Sequence, residues 1–227
     1  MAISGLPMFP LGTVLFPGLV MPLNVFEERY RALVRHLLAL PDRAPREFGV
    51  VAIQRGWEVD HHTGDSATLT LHEVGCSAEI RQVTEHPDGR FDLVTVGRRR
   101  FAIRKIEPNA APYLIADVEW LDEPEGPVGE ADRLTPGLLD LFQRYLRLVR
   151  PDEAGEQVPD DPVVLSHLIA ATASLPLAER QALLAAPDAA TRLRAERRLL
   201  GREVGLLRQV RAVPVPLPEL AVSTSPN

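Results

Sequence analysis

The side chains that could support catalysis include a single lysine, Lys105, in a chain of 227 residues. A serine-lysine peptidase needs a lysine that accepts the proton of the nucleophile, and a Walker-type phosphate loop needs Gly-(x)4-Gly-Lys-Ser/Thr. Lys105 lies instead in Ile103-Arg-Lys-Ile106, a strand-like run with no glycine or serine close to it. An enzyme of another type would need His72, Glu79 or Asp92 to converge in a pocket, which nothing in the sequence indicates. We therefore predict that the chain is not an enzyme and needs no cofactor.

A histidine-rich stretch holds the candidate metal ligands. Imidazole and carboxylate groups both bind metals, and the stretch contains Asp60, His61, His62, Asp65 and His72. Adjacent side chains in a strand point to opposite faces, and the spacing matches no established metal motif. We interpret the stretch as a solvated polar loop and predict no metal site.

Arginines supply nearly all the positive charge and form two groups that could hold phosphates, because guanidinium makes paired hydrogen bonds to them. The groups are Arg98-Arg99-Arg100 and the arginines of the last predicted helix: Arg192, Arg194, Arg197, Arg198, Arg202 and Arg208. The formal net charge is nevertheless -6, and charges along a helix usually form its solvated face. Nucleic-acid binding is therefore the less favoured alternative.

Composition limits where the protein functions. Cys76 is the only cysteine, which excludes an internal disulfide and a zinc site built on paired thiolates. No run approaches the ~18 apolar residues of a membrane span, and the amino terminus lacks the features of a signal peptide. We expect a cytoplasmic protein without membrane contact, and the sequence leaves the oligomeric state open.

Residues 7–30 combine short apolar runs with regularly spaced prolines. Because proline lacks an N–H, it should cap or interrupt strands rather than lie within a central one. Extended pieces are predicted at residues 13–16 and Val20–Val25, joined by a turn at Pro17-Gly18. After Phe26 the spacing becomes helical, with one face formed by Tyr30, Leu33, Val34, Leu37 and Leu38.

Alternating apolar residues predict further strands downstream, at 48–53, 68–71, 79–84, 91–96, 100–103 and 114–120. The small residues at 75–80 would let another backbone approach closely, and Pro87-Asp88-Gly89 indicates a hairpin turn. Residues 1–122 are thus expected to form a β-rich unit with one amphipathic helix.

The remainder of the chain lacks strand patterns. Residues 123–134 are rich in helix breakers and are the predicted linker, and residues 135–211 are predicted to form four helices. Thr135 is expected to cap the first of these helices and Pro136 to open it. The tail at 212–227 is predicted to be extended or disordered.

Several motifs carry a family resemblance. Residues 10–30 read Pro-Leu-(x)2-Val-Leu-Phe-Pro-(x)4-Pro-Leu-x-Val-Phe-Glu-x-Arg-Tyr. Later matches are Gly-Arg-Arg-Arg-Phe-x-Ile at 97–103, Leu-Pro-Leu-(x)2-Arg-Gln-Ala-Leu-Leu at 175–184, and Arg-Leu-(x)5-Leu-Leu at 192–200. The pattern resembles the substrate-binding domain of Lon proteases. The resemblance implies an α+β fold, in which an N-terminal PUA-like β pseudobarrel with one amphipathic helix precedes a C-terminal helical bundle.

The resemblance also implies a function. We expect a non-catalytic, stand-alone module that captures unfolded or exposed polypeptide segments, or that docks on a protease or chaperone. The candidate contact residues are Phe26, Glu27, Arg29, Tyr30 and Trp57. The spacing of Phe26 and Tyr30 would place both on one helix face. Both aromatic side chains would, under the favoured alternative, simply anchor the helix to the core.

Overall fold

The computed structural model describes residues 5–41, 44–55, 70–107, 111–151 and 157–210. Within these ranges the chain is an α+β structure with a seven-stranded mixed sheet and five helices. The strands are β1 (Leu6–Leu11), β2 (Val20–Val25), β3 (Glu47–Arg55), β4 (Thr70–Leu71), β5 (Val74–Glu85), β6 (Phe91–Glu107) and β7 (Ile115–Trp120). The helices are α1 (Glu28–Leu38), α2 (Glu130–Val149), α3 (Pro162–Thr172), α4 (Leu177–Leu184) and α5 (Ala189–Val210).

The sheet curves back on itself. Its order is β1-β7-β6-β5-β3-β4, and β1 also pairs in parallel with β3. Strands β1, β7, β6, β5 and β3 therefore form a closed circuit of pairings. Strand β2 lies off this circuit and pairs antiparallel with the first part of β6.

The first strand differs from the prediction. It covers Leu6–Leu11 and includes Pro7 and Pro10, whereas residues 13–16 are not a strand. Strand β1 pairs with β7 through Leu6 and Pro7 and with β3 only from Met8 onwards. The N–H of Met8 donates to Leu114 O of the segment before β7, at 2.8 Å. Because backbone groups alternate sides along a strand, the nitrogen of each proline faces an edge that has no partner at that point.

Strand β6 is one continuous element where two short strands were predicted. Its edge partner changes along its length, from β2 at Phe91–Val96 to β7 at Phe101–Glu107. Gly97 lies between these stretches, and its N–H donates to Leu19 O at 2.9 Å. A side chain at Gly97 would overlap the carbonyl of Phe16, so a close backbone approach links the two halves. The predicted hairpin turn before β6 is confirmed, with Gly89 at a φ of +80°.

Helix α1 follows the predicted face, with Tyr30, Leu33, Val34 and Leu37 buried. Helix α2 begins earlier than predicted, at Glu130 rather than next to Pro136. Thr135 does not cap it: its hydroxyl donates to Ala131 O at 2.9 Å, one turn back within the helix. The prediction was wrong because the helix extends through the residues before Pro136, where Ala131 is buried at 2% exposure, although the proline supplies no N–H to the i→i−4 ladder.

The sheet and the helices share a core. Phe48 of β3 and Phe16 of the segment between β1 and β2 belong to the same buried cluster as Ala170 of α3 and Leu183 and Leu184 of α4. A second cluster joins α2, α3 and α5. In the described residues beyond β7, all the regular secondary structure is helical and no strand occurs.

Candidate functional site

A cavity of about 280 Å³ lies between β2, the start of α1 and the end of β1. We call it the β2 cavity. Its lining is mainly apolar and consists of Phe9, Leu11, Pro22, Leu23, Asn24, Val25, Phe26, Glu27 and Tyr30. Concave apolar surfaces with a few polar groups are the usual form of a binding site, so this cavity is the first candidate.

Phe26 and Tyr30 both line the β2 cavity but play different structural roles. Tyr30 is 4% exposed, and its ring stacks on Phe9 with centroids 4.1 Å apart. Phe26 is 52% exposed and precedes the helix, which begins at Glu28. The prediction that both residues share a helix face was therefore wrong. Tyr30 anchors α1 to the core, whereas Phe26 presents apolar surface to solvent.

Glu27 and Arg29 order the rim beside Phe26. A guanidinium nitrogen of Arg29 lies 2.9 Å from a carboxylate oxygen of Glu27, and the same guanidinium stands 4.7 Å from the centre of the Tyr30 ring. Two neighbours thus fix the Arg29 side chain. Trp57, the remaining sequence candidate, lies outside the described residues.

A second cavity, of about 390 Å³, lies on the outer face of β2, β6 and β5. We call it the outer cavity, and its lining is Pro22, Leu23, Asn24, Gln82, Thr84, Asp92, Leu93 and Val94. The Asn24 amide donates to Asp92 at 2.6 Å, and His86 Nε2 lies 2.6 Å from the other carboxylate oxygen. Hydrogen bonds from His86 and then Asn24 lower the pKa of Asp92, so this carboxylate is ionised at neutral pH.

Sequence reasoning missed most of β2 as a surface. Val20 is 63% exposed, and Pro22 and Asn24 are also exposed, whereas the intervening residues are partly buried. The signal was available in the strand period of two, because it gives Val20, Pro22 and Asn24 one common face. That face adjoins the outer cavity.

Glu123 is the centre of a charged cluster between the sheet and the helices. It accepts hydrogen bonds from Arg100 Nε and, at 3.2 Å, from His167 Nε2, and Arg192 lies 3.4 Å away. Burial opposes ionisation of Glu123, but the bonds from His167 and Arg100 outweigh it and lower its pKa to about 2. Arg100 also donates to the backbone oxygens of Asp122, Leu184 and Ala186. The cluster joins β6 to the helices and is a structural feature.

The arginines proposed as phosphate ligands are largely engaged by protein groups. Arg98 pairs with Glu79 at 3.1 Å, and Arg99 lies 3.9 Å from the centre of the Trp120 ring. In the last helix Arg192 is buried, and the others with carboxylate partners are Arg194, paired with Glu130, and Arg202, paired with Glu179. Each guanidinium of the triple arginine thus already has a protein partner, Glu123 in the case of Arg100.

Metal and membrane features were searched in the part of the chain that the structure describes. No group of three or more histidine, cysteine, aspartate or glutamate side chains there could hold a metal ion. Residues 60–65 of the histidine-rich stretch lie outside it. None of the described helices has the length and apolar character required to cross a bilayer.

Comparison with known proteins identifies the family of this chain. Residues 5–202 match the family model of the ATP-dependent protease La (LON) substrate-binding domain. The chain belongs to this family. Lon protease 2 of Herpetosiphon aurantiacus is 31% identical over 208 residues, which cover 89% of this chain and 24% of the relative. Lon protease 1 of Thermus thermophilus is 31% identical over 207 residues, covering 88% and 25%.

Solved structures show the same fold. The N-terminal domain of a Mycobacterium avium complex Lon protease superposes with a TM-score of 0.65 at 20% identity, covering 87% of this chain and 98% of that structure. A Lon N-terminal domain protein from Xanthomonas campestris gives 0.55 at 22% identity, covering 93% and 100%. The chain spans about a quarter of the length of the curated Lon proteases it matches. The similarity is confined to the substrate-binding domain.

Proposed function

We propose that this member of the Lon substrate-binding family is a non-catalytic module that captures unfolded or exposed polypeptide segments at the β2 cavity. One observation carries the proposal: the half-exposed ring of Phe26 stands at the mouth of an apolar cavity. Unfolded chains expose apolar side chains, and placing one in such a cavity removes apolar surface of both partners from water. A protease or chaperone is the expected recipient of the captured segment.

The proposal includes an architecture. The closed circuit of strands supports a PUA-like pseudobarrel within residues 1–122, and helices α2 to α5 supply the helical bundle, preceded by a linker that ends at Gly129 and not at 134 as predicted, because α2 begins at Glu130. Glu27 and Arg29, which are paired with each other, would fix the rim of the cavity. Trp57 remains a candidate contact residue. We assign this module to the cytosol.

The non-enzymatic part of the proposal rests on the extent of the family match and on Lys105. The Lys105 ammonium lies 2.8 Å from a Glu107 carboxylate oxygen on the exposed surface of β6, and hydrogen bonding to Glu107 raises the pKa of the lysine. A catalytic lysine base needs the opposite change. Purified protein is expected neither to hydrolyse ATP nor to cleave casein. Turnover that copurifies with the chain and survives Lys105→Ala would contradict this reasoning while pointing to another activity.

Capture by the β2 cavity can be measured with reduced, carboxymethylated α-lactalbumin, a permanently unfolded probe. Phe26→Ser should weaken binding about tenfold, because truncating one central apolar anchor typically costs more than 1 kcal/mol, and should leave the thermal midpoint nearly unchanged. Val128→Ser is the matched control: Val128 is 98% exposed in the loop before α2 and should not affect capture. Equal capture by wild type and Phe26→Ser would refute the placement.

A second binding assay, with RNA, tests the nucleic-acid alternative. A nucleic-acid module would bind a labelled RNA oligonucleotide with an affinity that falls steeply as salt is raised. Because Arg98, Arg99 and Arg100 are engaged by Glu79, Trp120 and Glu123 respectively, we expect no such binding. Salt-sensitive RNA binding without capture of unfolded protein would replace the proposed function with the alternative.

A further inference from the structure

Strand β2 has one paired edge and one open edge. Val20 lies opposite Val96 of β6, and the N–H of Gly97 donates to Leu19 O at 2.9 Å. In an antiparallel pair, hydrogen-bonded and non-hydrogen-bonded positions alternate. Met21, Leu23 and Val25 therefore share the bonding register of Leu19, and the intervening residues direct their backbone groups away from β6. In the described chain β2 pairs with no strand other than β6.

The open edge carries a defined set of hydrogen-bonding groups. Val20 and Asn24 each offer an N–H and a C=O, and Pro22 between them offers only a C=O. Proline is tolerated here because its nitrogen faces the edge and not the ladder with β6. An exposed edge of this kind can accept an added strand, which is one of the recurring modes of peptide recognition. Pro22 weakens the edge by one donor and so limits indiscriminate pairing.

Both cavities lie against this strand. Residues 22–24 contribute to the lining of the β2 cavity and of the outer cavity. A strand added to the open edge would alternate its side chains between the two faces of the sheet. Side chains on one face would enter the β2 cavity, and those on the other would extend the surface that continues into the outer cavity.

The charges beside the strand favour one chemistry. The acidic side chains that line the cavities are Glu27 in the β2 cavity and Asp92 in the outer cavity, and no described lysine or arginine is among the lining residues. Their neighbours are Arg29, which pairs with Glu27, and His86, which pairs with Asp92. A client with apolar side chains between basic residues is complementary to this lining, and an acidic client is not.

We propose that an extended client segment with apolar residues flanked by basic ones binds by adding a strand to the open edge of β2. This inference rests on the proposed function and specifies how the same surface holds its client. The recognition it describes depends on the backbone of the client, so it tolerates many sequences. The two cavities and the carboxylates that line them then favour clients with apolar and basic side chains.

The decisive measurement is an N-methyl scan of a labelled peptide, Lys-Leu-Thr-Leu-Thr-Leu-Lys, by fluorescence anisotropy. Methylating a backbone nitrogen removes one donor, and one intermolecular hydrogen bond is worth roughly a fivefold change in affinity. Strand addition predicts weakening at every second residue and little change between. If the peptide binds but the loss of affinity does not alternate along its N-methylated positions, strand addition is overturned and the proposed function still holds. The acidic counterpart, Glu-Leu-Thr-Leu-Thr-Leu-Glu, should bind more weakly; equal affinity overturns the charge preference.

Substitutions in β2 test the same edge from the other side. Val20→Pro removes an outward N–H and should weaken binding of the basic peptide about fivefold, whereas the matched control Val20→Thr keeps the donor and should bind normally. Pro22→Val adds a donor and should tighten binding by a similar factor. The expected gain in affinity of Pro22→Val does not depend on a destabilising substitution, so this variant tests the edge even if Val20→Pro fails to fold.

Two outcomes would overturn strand addition by a client. If the variants change the oligomeric state and leave peptide affinity untouched, the edge pairs with a second copy of the chain. If α-lactalbumin is captured but neither peptide binds, capture proceeds without strand addition. Failure to capture either probe would refute the proposed function as well.

Discussion

Replacing Glu123 by glutamine would remove one negative charge from the junction between β6 and the helices. Glutamine has nearly the same shape as glutamate, so packing is preserved while the charge is lost. The side chains of Arg100 and Arg192 are 2% and 0% exposed, and the carboxylate of Glu123 is the counter-ion within reach of both. The substitution would leave these two buried guanidinium groups without it, which is costly because a buried charge needs a partner.

The size of the effect follows from the pKa of Glu123. The native environment lowers this pKa from 4.5 to about 2, and a pKa difference of one corresponds to about 1.4 kcal/mol. Ionised Glu123 therefore stabilises the native state by about 3 kcal/mol at neutral pH. The folded pKa is lower than the unfolded value, so this contribution is complete above pH 4.5 and is lost as the pH falls towards 2.

Urea unfolding of wild type and Glu123→Gln measures the difference. At pH 7 the variant should be less stable by about 3 kcal/mol, and the difference should shrink as the pH is lowered through 4.5. Glu125→Gln is the control, because Glu125 is in the same segment but is exposed, and it should change the free energy of unfolding little. Equal stability of Glu123→Gln and wild type at pH 7, or a difference that does not vary with pH, would refute the account of the cluster.

Three further predictions concern the core. Tyr30→Ala should lower the free energy of unfolding by about 3 kcal/mol, as expected for an aromatic ring removed from a core, and urea titration would show it; a marginal change would mean that the ring does not anchor α1. Glu196 is fully buried and burial raises its pKa well above the usual value, so stability contributed by this group falls as the pH rises above 4.5, and Glu196→Gln should stabilise the protein at pH 7 but not at pH 4. Gly97→Ala should cost about 3 kcal/mol by overpacking against Phe16, whereas Gly201→Ala, which faces open space in α5, should stabilise by about 1 kcal/mol; thermal midpoints that move together would contradict the contrast.

Much of the fold could be predicted from the sequence because the patterns that specify it are local. Helix α1 was predicted from the spacing of Tyr30, Leu33 and Leu37, and the turn before β6 from Pro87-Asp88-Gly89, since each depends on residues within one or two turns of chain. The family was predicted from ordered motifs along the chain, and the family match confirms it. The candidate site could be predicted only in part. Phe26 was selected because its spacing from Tyr30 is helical, but the helix begins after it.

Other features depend on partners far away in the sequence. Strand β1 tolerates two prolines because β7 and β3 divide its length between them, and β6 continues past Gly97 because one edge partner replaces another. Tyr30 is buried because its ring stacks on Phe9, a residue distant in sequence, whereas Phe26 borders solvent. Likewise, the pairing of Glu123 with Arg100, His167 and Arg192 brings together four separate elements of sequence. The sequence by itself determined the helices, the hairpin and the family, because short-range periodicity and turn chemistry specify them; the tertiary structure decided which edges are paired, which aromatic ring is exposed and which charges are buried, because those depend on contacts that no local pattern encodes.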